Sequence, residues 1–324
     1  MNLKETKNNI PLIKHIPGPH KIRRLLSRQN MKSVRLRYLM HHNKRKYADY
    51  LFKKKFGYSI DWKHPRDLNE WINYLAFKTD TTEWSRLADK YEVRNFVAER
   101  GLSKILLPLY GKWNKASDID FDILPDSFVL KTNGGCGDTI IVKDKRNADL
   151  KEIIKKIDLA MAQRDTIFLR SAEPHYLKIG QMVICEKLIS PPPIEYKFYC
   201  FDGEPFCVLT CSNRDLEKHT VDWMLYDLDW NRRLDWMMPA FRKDIEMVRP
   251  NKLEEMIEYA KILSKGFPHV RVDLYQPDNN VYFGEMTFTS TASRIDWCEP
   301  AILRLMGDKV GEALGKKSKQ MSSI

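Results

Sequence analysis

The sequence predicts an α+β protein with at least two subdomains. Runs rich in Val, Tyr and Phe flank turn signals in two places, a pattern typical of antiparallel hairpins, and amphipathic stretches separate other apolar runs. The chain of 324 residues is longer than one minimal core requires. With 43% hydrophobic and 30% charged residues, its composition is that of an ordinary globular protein.

One of the two hairpins, residues 270–288, carries the most informative pattern. A turn centred on Asn279 sets Asp273 opposite Glu285 and Arg271 opposite Thr287. Because side chains alternate along a strand, one face is expected to carry Arg271, Asp273, Tyr275, Phe283, Glu285 and Thr287.

Two carboxylates that face each other across a ladder repel, unless a cation lies between them. Hard oxygen ligands suit Mg²⁺ that is also bound by phosphates, so Asp273 and Glu285 are candidate ligands of this ion. The alternative is a solvated hairpin in which Arg271 neutralises both acids. The hairpin by itself does not choose between the two interpretations.

The other elements are predicted from periodicity and turn signals. Helices are expected in residues 65–102 (two or three, ending at Gly101), 150–163 and 253–265. Strands are expected at residues 106–113, 127–131, 139–143 and 182–189, with the other hairpin joining 195–201 to 205–211.

A Ser-Pro-Pro-Pro-Ile segment at 190–194 is the best internal boundary. We therefore expect a basic N-terminal extension (1–64), a first subdomain with helices and a Gly-rich loop (65–190), a second subdomain (191–312) and a polar, frayed tail (313–324).

Positive charge is concentrated at the N-terminus. Residues 1–58 hold 16 Lys and Arg and two acids, a net charge of +14, whereas the whole chain is +12 and the remainder is therefore −2. From about Lys21 the pattern is helical, which predicts a basic arm that binds anionic lipid headgroups or an anionic glycan. The alternative is a solvated helix pair that covers the fold. Nucleic acid is the second candidate ligand of the arm, since clustered Lys and Arg neutralise phosphate of any origin, but it is not expected as a partner.

The six cysteines form no C-x-x-C pair, which fits a reducing compartment. The sequence has no apolar run of membrane-spanning length and no signal-peptide pattern. We expect a cytoplasmic protein, peripheral at the inner face of the plasma membrane if the arm binds lipid.

A Gly-rich loop lies between two predicted strands at residues 128–144. Gly134, Gly135 and Gly137 allow backbone N–H groups to approach phosphate oxygens, and Lys131 ends the preceding apolar strand. The loop is not a Walker A motif, and the catalytic-loop and D-F-G signatures of kinases are missing. A Gly-rich loop of this kind predicts a phosphate-covering flap only when other residues support it.

Further polar residues stand on apolar strands. Glu186 ends the apolar run at 182–189, and Glu195 and Lys197 share one face of the strand that follows. Each of these alone is typical of a structural ion pair. Their order is informative: a Lys, a Gly-rich loop, a strand-end Glu, a Glu-x-Lys strand, and a closing hairpin with Arg-x-Asp and Glu.

This order resembles the ATP-grasp superfamily, and within it the TupA-like branch named for the teichuronopeptide biosynthesis protein. The motifs that carry the resemblance are LADKYEVRNFVAERG, LPDSFVLKTNGGCGDTIIVKD, YKFYCFDGEP, LYDLDWN and SKGFPHVRVDLY with VYFGEMTF, between about Pro65 and Gly307. The resemblance implies an ATP-grasp fold, in which two α+β subdomains clamp ATP.

The resemblance also implies roles for individual residues. It implies ATP and Mg²⁺ as cofactors, with Arg271 and Lys197 as catalytic residues that contact the phosphates. The expected nucleotide contacts are Lys90 (in the L-A-D-K helix), Lys131, Gly134, Gly135, Gly137, Glu186, Leu188 and Glu195, and the expected metal ligands are Asp273, Glu285 and Thr287.

Two departures from the superfamily pattern stand out. The second metal strand usually reads Glu-x-Asn, whereas here Thr287 replaces the asparagine, and a hydroxyl is the weaker ligand. The Gly-rich substrate segment expected after it is replaced by TSTASR at 289–294, so the resemblance does not define the acceptor site.

The resemblance implies a carboxylate–amine ligase that forms an acyl phosphate from ATP and then an amide. Its branch implies cell-surface polymer synthesis, with a uronic acid glycan as carboxylate and an amino acid or other amine as nucleophile. Two alternatives are a glycosyltransferase of capsule or lipopolysaccharide synthesis and a non-catalytic glycan-binding module. The first needs a sugar-nucleotide site.

Overall fold

The computed structural model describes residues 34–135, 137–215 and 220–321. In these ranges the chain forms two antiparallel sheets covered by helices, which confirms the α+β expectation. The first 33 residues, including the Pro-rich start and the first part of the basic arm, lie outside the described residues. None of the helices in the described ranges is both long and apolar enough to cross a lipid bilayer.

The helices occupy both ends of the chain and two insertions between strands. Residues 34–42 are helical (α1). The others are α2 (Lys44–Phe56), α3 (Leu68–Lys78), α4 (Thr82–Ala88), α5 (Val93–Glu99), α6 (Leu150–Ser171), α7 (Leu253–Ser264) and α8 (Pro300–Met321).

Sheet 1 has the strand order β1-β4-β2-β3, and its strands are β1 (Leu109–Trp113), β2 (Phe128–Thr132), β3 (Ile140–Val142) and β4 (Val183–Glu186). Phe128 and Leu130 alternate with Val129 and Lys131, so the first pair packs against Ile157 of α6 and the second faces away from it. Asp149 caps α6, because its side chain accepts a hydrogen bond from the N–H of Glu152.

Sheet 2 has the strand order β7-β6-β5-β8-β9. Its strands are β5 (Glu195–Phe201), β6 (Glu204–Asp215), β7 (Thr220–Tyr226), β8 (Val270–Tyr275) and β9 (Tyr282–Thr287). The segment 190–194 connects β4 to β5, so the predicted boundary separates the two sheets. Val270, Val272 and Leu274 are fully buried and form the centre of the larger core.

Helices α3 to α5 and α8 pack into the core of sheet 2 rather than that of sheet 1. The crossing of α3 and α8 is very close at Gly307, where an added Cβ would lie 2.7 Å from the carbonyl carbon of Asp67. Asp67 is the N-cap of α3 and accepts the N–H of Glu70 at 3.0 Å. A side chain at position 307 would therefore push α8 away from the start of α3.

The described part of the basic arm packs against the rest of the chain. Tyr47, Ala48 and Phe52 of α2 are buried, and the Tyr47 hydroxyl donates to the carbonyl of Arg170 at the end of α6. Asp49 accepts the N–H of Ile60 at 2.8 Å. These contacts favour the interpretation of α2 as a cover of the fold, while the basic residues on its outer side stay exposed.

The structure differs from the expectations in four elements. Phe283 lies in the core and not beside Asp273, because a bulge at Gly284 shifts the register so that Phe283 faces Leu274. Helix α6 runs to Ser171, and strand β7 was not predicted. Helix α8 continues to Met321, so most of the expected polar tail is helical.

Candidate active site

The register of β8 and β9 confirms the predicted pairing of charged residues. Asp273 lies opposite Glu285, and Arg271 lies opposite Thr287. On the other side of β8, strand β5 sets Lys197 opposite Asp273. The three adjacent strands therefore gather their charged side chains on one face of sheet 2, because facing residues of paired strands project to the same side.

Arg271 links the carboxylates of β8 and β9. Its Nε donates to Asp273 Oδ1 at 2.7 Å, and its Nη2 donates to Asp273 Oδ2 at 2.8 Å and to Glu285 Oε1 at 2.9 Å. The same Nη2 lies 3.0 Å from the hydroxyl oxygen of Thr287. The contacts of the alternative interpretation, in which Arg271 neutralises both acids, are thus present in this structure.

Lys197 extends the cluster to β5. Its Nζ lies 2.6 Å from Asp273 Oδ2 and 2.6 Å from Glu195 Oε2, and Arg214 of β6 binds the same Glu195 carboxylate at 3.1 Å. We call these six residues the Asp273 network: Glu195, Lys197, Arg214, Arg271, Asp273 and Glu285. Three basic and three acidic side chains balance each other. Arg214 was not identified from the sequence, because it belongs to no motif and lies at the end of an ordinary strand pattern.

The network favours the charged forms of Glu285, Glu195 and Lys197. Burial favours the neutral form of Glu285, but Arg271, Lys197 and Lys90 outweigh burial and lower its pKa to about 2. Burial also raises the pKa of Glu195, but Lys197 and Arg214 outweigh burial, and the pKa lies below its ordinary value. Burial also disfavours the charge of Lys197, yet Asp273 and Glu195 hold its pKa above its ordinary value.

A divalent cation fits these strands by the chemistry of the donors. Asp273 and Glu285 present carboxylates from facing positions, and the Thr287 hydroxyl lies 3.0 Å from Glu285 Oε1. Mg²⁺ is usually bound by one or two carboxylates together with substrate phosphates. Within the described ranges, no group of three or more His, Cys, Asp or Glu is arranged to hold a metal ion. Phosphate oxygens would therefore have to complete the coordination, and Arg271 would have to release part of its contacts.

In the Gly-rich loop between β2 and β3, residues 133–135 and 137–139 lie at the end of sheet 1, and we call these residues the flap. Lys90 binds its backbone, because Nζ donates to the carbonyl of Gly135 at 2.6 Å. Lys90 was expected in a helix but lies in the turn after α4, which ends at Ala88. Gly137 has φ = 75°, a conformation that favours glycine.

Two residues that the sequence patterns did not single out hold the flap. Asp138 accepts hydrogen bonds from the N–H and the hydroxyl of Thr132, and an added Cβ on Gly135 would clash with both side chains. Asn133 donates to Asp89 Oδ2 at 2.7 Å and to the carbonyl of Gly180 at 2.8 Å. Gly135 is thus required by this packing, whatever the flap binds.

Lys131 and Glu186, both predicted nucleotide contacts, form an ion pair with each other. Lys131 Nζ lies 2.5 Å from Glu186 Oε2, and Arg94 of α5 binds the other carboxylate oxygen at 3.1 Å. The neighbouring strand thus supplies an acid for Lys131. Leu188 follows β4 and is partly buried. Arg94 was missed, although it stands four residues after Lys90 in the same motif.

The segment that replaces the expected Gly-rich substrate segment has an unusual backbone. Thr291, Ala292 and Ser293 have φ values of 51°, 49° and 60°, a left-handed conformation that costs free energy for residues with a Cβ. The side-chain amide of Asn69 accepts the N–H of Ile295 at 2.7 Å and donates to the carbonyl of Ile295 at 2.9 Å. Asn73 donates to the carbonyl of Ser293 at 3.3 Å. The pattern of α3 gave no sign that these asparagines hold the segment.

The predicted site residues therefore form two groups. Asp273, Glu285, Thr287, Arg271, Lys197 and Glu195 meet on sheet 2, whereas Lys131, Glu186, Leu188, Gly134, Gly135 and Gly137 belong to sheet 1 and its flap. Lys90 connects the groups, because it binds Gly135 and its charge lowers the pKa of Glu285.

The family model of the TupA-like ATP-grasp proteins matches residues 70–311. The chain belongs to the TupA-like ATP-grasp family. Its match covers both sheets and the helices between and beside them, and the fold is accordingly the ATP-grasp fold. The expectation drawn from the motifs is confirmed.

Individual solved structures share low sequence identity with this chain. The chain is similar to D-alanine–D-alanine ligase from Bacillus anthracis, with 18% identity over 72% of this chain and 68% of that one and a TM-score of 0.42. It is also similar to L-amino acid ligase from Bacillus licheniformis, with 14% identity over 79% of this chain and 56% of that one and a TM-score of 0.46. No curated protein matches.

The charge of Glu285 predicts a pH dependence of stability. Its pKa is about 2 in the folded protein and ordinarily 4.5, so its contribution is complete above pH 4.5 and is lost as the pH falls toward 2. The Glu285 side chain is 41% exposed, which limits this contribution to about 1 kcal/mol. We expect Glu285→Gln to lower the free energy of unfolding at pH 7, and the difference from wild type to shrink as the pH falls toward 3.

The measurement is urea denaturation at several pH values. Glu299→Gln, which removes a carboxylate paired with Arg242 outside the network, controls for the loss of one negative charge. A Glu285→Gln deficit that stays constant between pH 7 and pH 3 would contradict the assignment.

Proposed function

We propose that this protein is an ATP- and Mg²⁺-dependent carboxylate–amine ligase that acts in the synthesis of a cell-surface polysaccharide. The carboxylate attacks the γ-phosphorus of ATP, which gives an acyl phosphate and ADP. The amine then attacks the acyl carbon, phosphate leaves, and the new amide nitrogen releases a proton to solvent. The observation that carries the proposal is the Asp273 network, with Lys90 beside it, in a chain of this family.

The network supplies what phosphoryl transfer requires from a protein, namely fixed positive charge and acidic metal ligands. Such transfer depends on positioning and charge stabilisation more than on covalent protein chemistry. Arg271 and Lys197 are held by carboxylates at 2.6 to 2.9 Å, so their charges are fixed before a substrate binds. In the proposed reaction these two residues contact the transferred phosphoryl group and exchange part of their carboxylate contacts for phosphate oxygens.

The nucleotide would bind between the two sheets. Lys131 and Lys90 would contact its phosphates, the flap glycines would cover them, and Glu186, Leu188 and Glu195 would hold the adenosine. Asp273 and Glu285, with Thr287 as a weaker donor, would hold Mg²⁺, which supplies charge neutralisation between adjacent phosphates. Arg94 would keep Glu186 oriented when Lys131 turns to a phosphate, because it binds the other carboxylate oxygen.

The proposed substrates are a uronic acid glycan as the carboxylate and an amino acid or other amine as the nucleophile. This assignment rests on the branch of the family. The left-handed segment 291–293 supports an acceptor site that differs from a Gly-rich one, since three non-glycine residues fix its shape.

The reaction stoichiometry tests the proposal. Uronic acids are incubated with amino acids in pairs, and ADP and phosphate are measured separately. We expect equal amounts of both, with sustained release only when carboxylate and amine are both present. Asp273→Asn should reduce turnover by at least roughly two orders of magnitude, because it removes a charged ligand of the proposed metal.

Control measurements separate loss of chemistry from loss of folding. The Asp273→Asn protein is compared with wild type by thermal unfolding, and Asp244→Asn, which removes an almost fully exposed acid, is assayed beside it. Phosphate retained on an isolated product would indicate a kinase. Transfer of a sugar without ATP would exclude the ligase.

Lys131 gives a prediction for nucleotide binding. Lys131→Met preserves length and removes a charge worth on the order of 2–3 kcal/mol in a hydrogen bond to a phosphate. We expect ATP affinity to fall roughly 30- to 150-fold. Titration calorimetry measures it, with Lys143→Met, at an exposed position just after β3, as the control. Unchanged affinity would remove Lys131 from the nucleotide site.

We further propose that the basic arm binds an anionic surface, either lipid headgroups at the inner face of the membrane or an anionic polymer. Within residues 34–58, eight Lys and Arg accompany one acid, and Arg35, Arg37, Lys53 and Lys54 are exposed. Each basic residue near an anionic membrane contributes on the order of 1 kcal/mol. Deleting the whole arm would also remove the buried contacts of α2, so charge substitution is the cleaner test.

Replacement of Arg35, Arg37, Lys53 and Lys54 by Gln should weaken binding by roughly two orders of magnitude or more. Sedimentation with phosphatidylglycerol vesicles and with polygalacturonate measures it and separates the two ligands. The matched control replaces Lys143, Lys151, Lys155 and Lys261, four exposed lysines elsewhere. Binding that resists added salt, or that both variants lose equally, would contradict a role of the arm.

A further inference from the structure

A cavity of ≈ 330 Å³ lies between the flap and α6. Its walls include Gly135 and Gly137 of the flap, and Lys156, Gln163 and Arg164 of α6. Leu130 of β2 packs toward α6 while Lys131 projects to the opposite face of sheet 1. The cavity therefore lies on the far side of sheet 1 from the Lys131–Glu186 pair and shares only the flap with the site described above.

Arg164 is the unusual residue of this cavity. It is only 4% exposed, and its Nε and Nη2 both donate to Asp165 Oδ1, at 3.1 and 2.9 Å. No acceptor among the described residues binds its buried Nη1. A buried guanidinium normally has all its N–H groups paired, because an unpaired charged donor costs free energy. Nη1 of Arg164 therefore still has N–H groups that can donate to an anion.

The flap covers this end of the guanidinium. A Cβ added to Gly134 would lie 3.3 Å from Arg164 Nη1 and 3.1 Å from Ile179 Cγ2, so the backbone of Gly134 rests on Nη1 with no side chain between them. Nη1 can reach a ligand in the cavity only if Gly134 moves away from it. Three glycines give the flap backbone the freedom for such a shift.

The charges around the cavity favour an anion. Lys156 is a second cation in the lining, and Asp138 is the acid there, but hydrogen bonds from the N–H and hydroxyl of Thr132 already engage Asp138. Asp165, the partner of Arg164, lies on the solvent side with its side chain 54% exposed. Leu159 and Ile167 add exposed apolar surface beside these cations.

We propose that the flap cavity is a binding site for a small organic anion. Nη1 of Arg164 binds its carboxylate or phosphate, a group whose geometry suits a guanidinium, and Leu159 and Ile167 pack against its body. The volume matches the lower end of ligand pockets and suits a molecule of the size of one sugar or one amino acid. The occupied cavity holds the flap away from Nη1.

Binding at this site changes the position of Gly135, which forms part of the cavity wall and accepts the Lys90 ammonium at 2.6 Å. The anion is therefore coupled to nucleotide affinity, in either direction, and by linkage the nucleotide changes the affinity of the anion by the same factor. This coupling rests on the proposed nucleotide site, whereas the anion site itself does not.

The test is titration calorimetry on the full-length protein, with inorganic phosphate and with galacturonate as separate probes. ADP and Mg²⁺ are present at saturation, after a direct titration has established that ADP binds, so that phosphate does not enter the nucleotide site. We expect one probe to bind with a stoichiometry of one. Binding of phosphate alone or of galacturonate alone identifies the anionic group.

Two variants and a matched control locate the site. Arg164→Gln should weaken the probe roughly 10- to 150-fold, and Ala160→Trp should abolish binding by filling the cavity without removing a charge. Lys155→Gln removes a charge from the exposed side of the same helix and should leave the affinity unchanged. Thermal unfolding shows whether each variant is folded. If Arg164→Gln does not fold, the affinity of Ala160→Trp alone tests whether the probe binds in the cavity.

The proposal is overturned if neither probe binds the wild-type protein. It is equally overturned if the Ala160→Trp variant binds the probe with wild-type affinity. It is also overturned if Lys155→Gln loses as much affinity as Arg164→Gln. Failure of ADP to bind in the first titration would count against the nucleotide site instead, and the anion titration is then run without ADP.

Discussion

The burial of one carboxylate, that of Asp273, determines the arrangement of this site. Asp273 is 1% exposed and lies on a central strand of sheet 2, where an unpaired charge would be very costly. Its two oxygens accept three contacts from Arg271 and Lys197. Arg271 in turn binds Glu285, and Lys197 binds Glu195. The arrangement of charged side chains on these three strands therefore follows from the charge balance around Asp273.

The same principle operates on sheet 1, where Lys131 and Arg94 share Glu186. In both places the cations that suit phosphate are already held by carboxylates. An anionic ligand would take over part of these contacts instead of recruiting free side chains, so the positive charges lose little conformational freedom on binding. The charges are preorganised, and only their partners change.

Helices outside the sheets fix the rim of the site. Asn69 and Asn73 of α3 hold the segment after β9, in which Thr291 has a left-handed backbone that a β-branched residue rarely adopts. The Trp84 ring of α4 stacks on Phe288, just before this segment, with ring centroids 5.0 Å apart. The helices that precede sheet 1 in the chain thus pack against sheet 2 and shape the region where a Gly-rich segment was expected.

The sequence by itself determined the pairing that matters most. A Pro-Asp-Asn-Asn turn and the two-residue period of the flanking strands were enough to set Asp273 against Glu285, because register in a short hairpin follows from the turn. The order of motifs also gave the family, since each motif is local. Phe283 was misplaced because one bulge at Gly284 moves a side chain to the other face, and no periodicity signals a bulge.

Only the tertiary structure decided which cations from other strands and helices complete the neutralisation of these acids. Lys197 lies 76 residues from Asp273 in the chain, and Arg94 lies 92 residues from Glu186, so no local pattern relates them. No local pattern relates Arg164 to Gly134 either, or the asparagines of α3 to the segment after β9 that they bind. A hydrogen-bond donor can be read from the sequence, but its acceptor is chosen by the packing of sheets and helices, because burial makes the pairing obligatory.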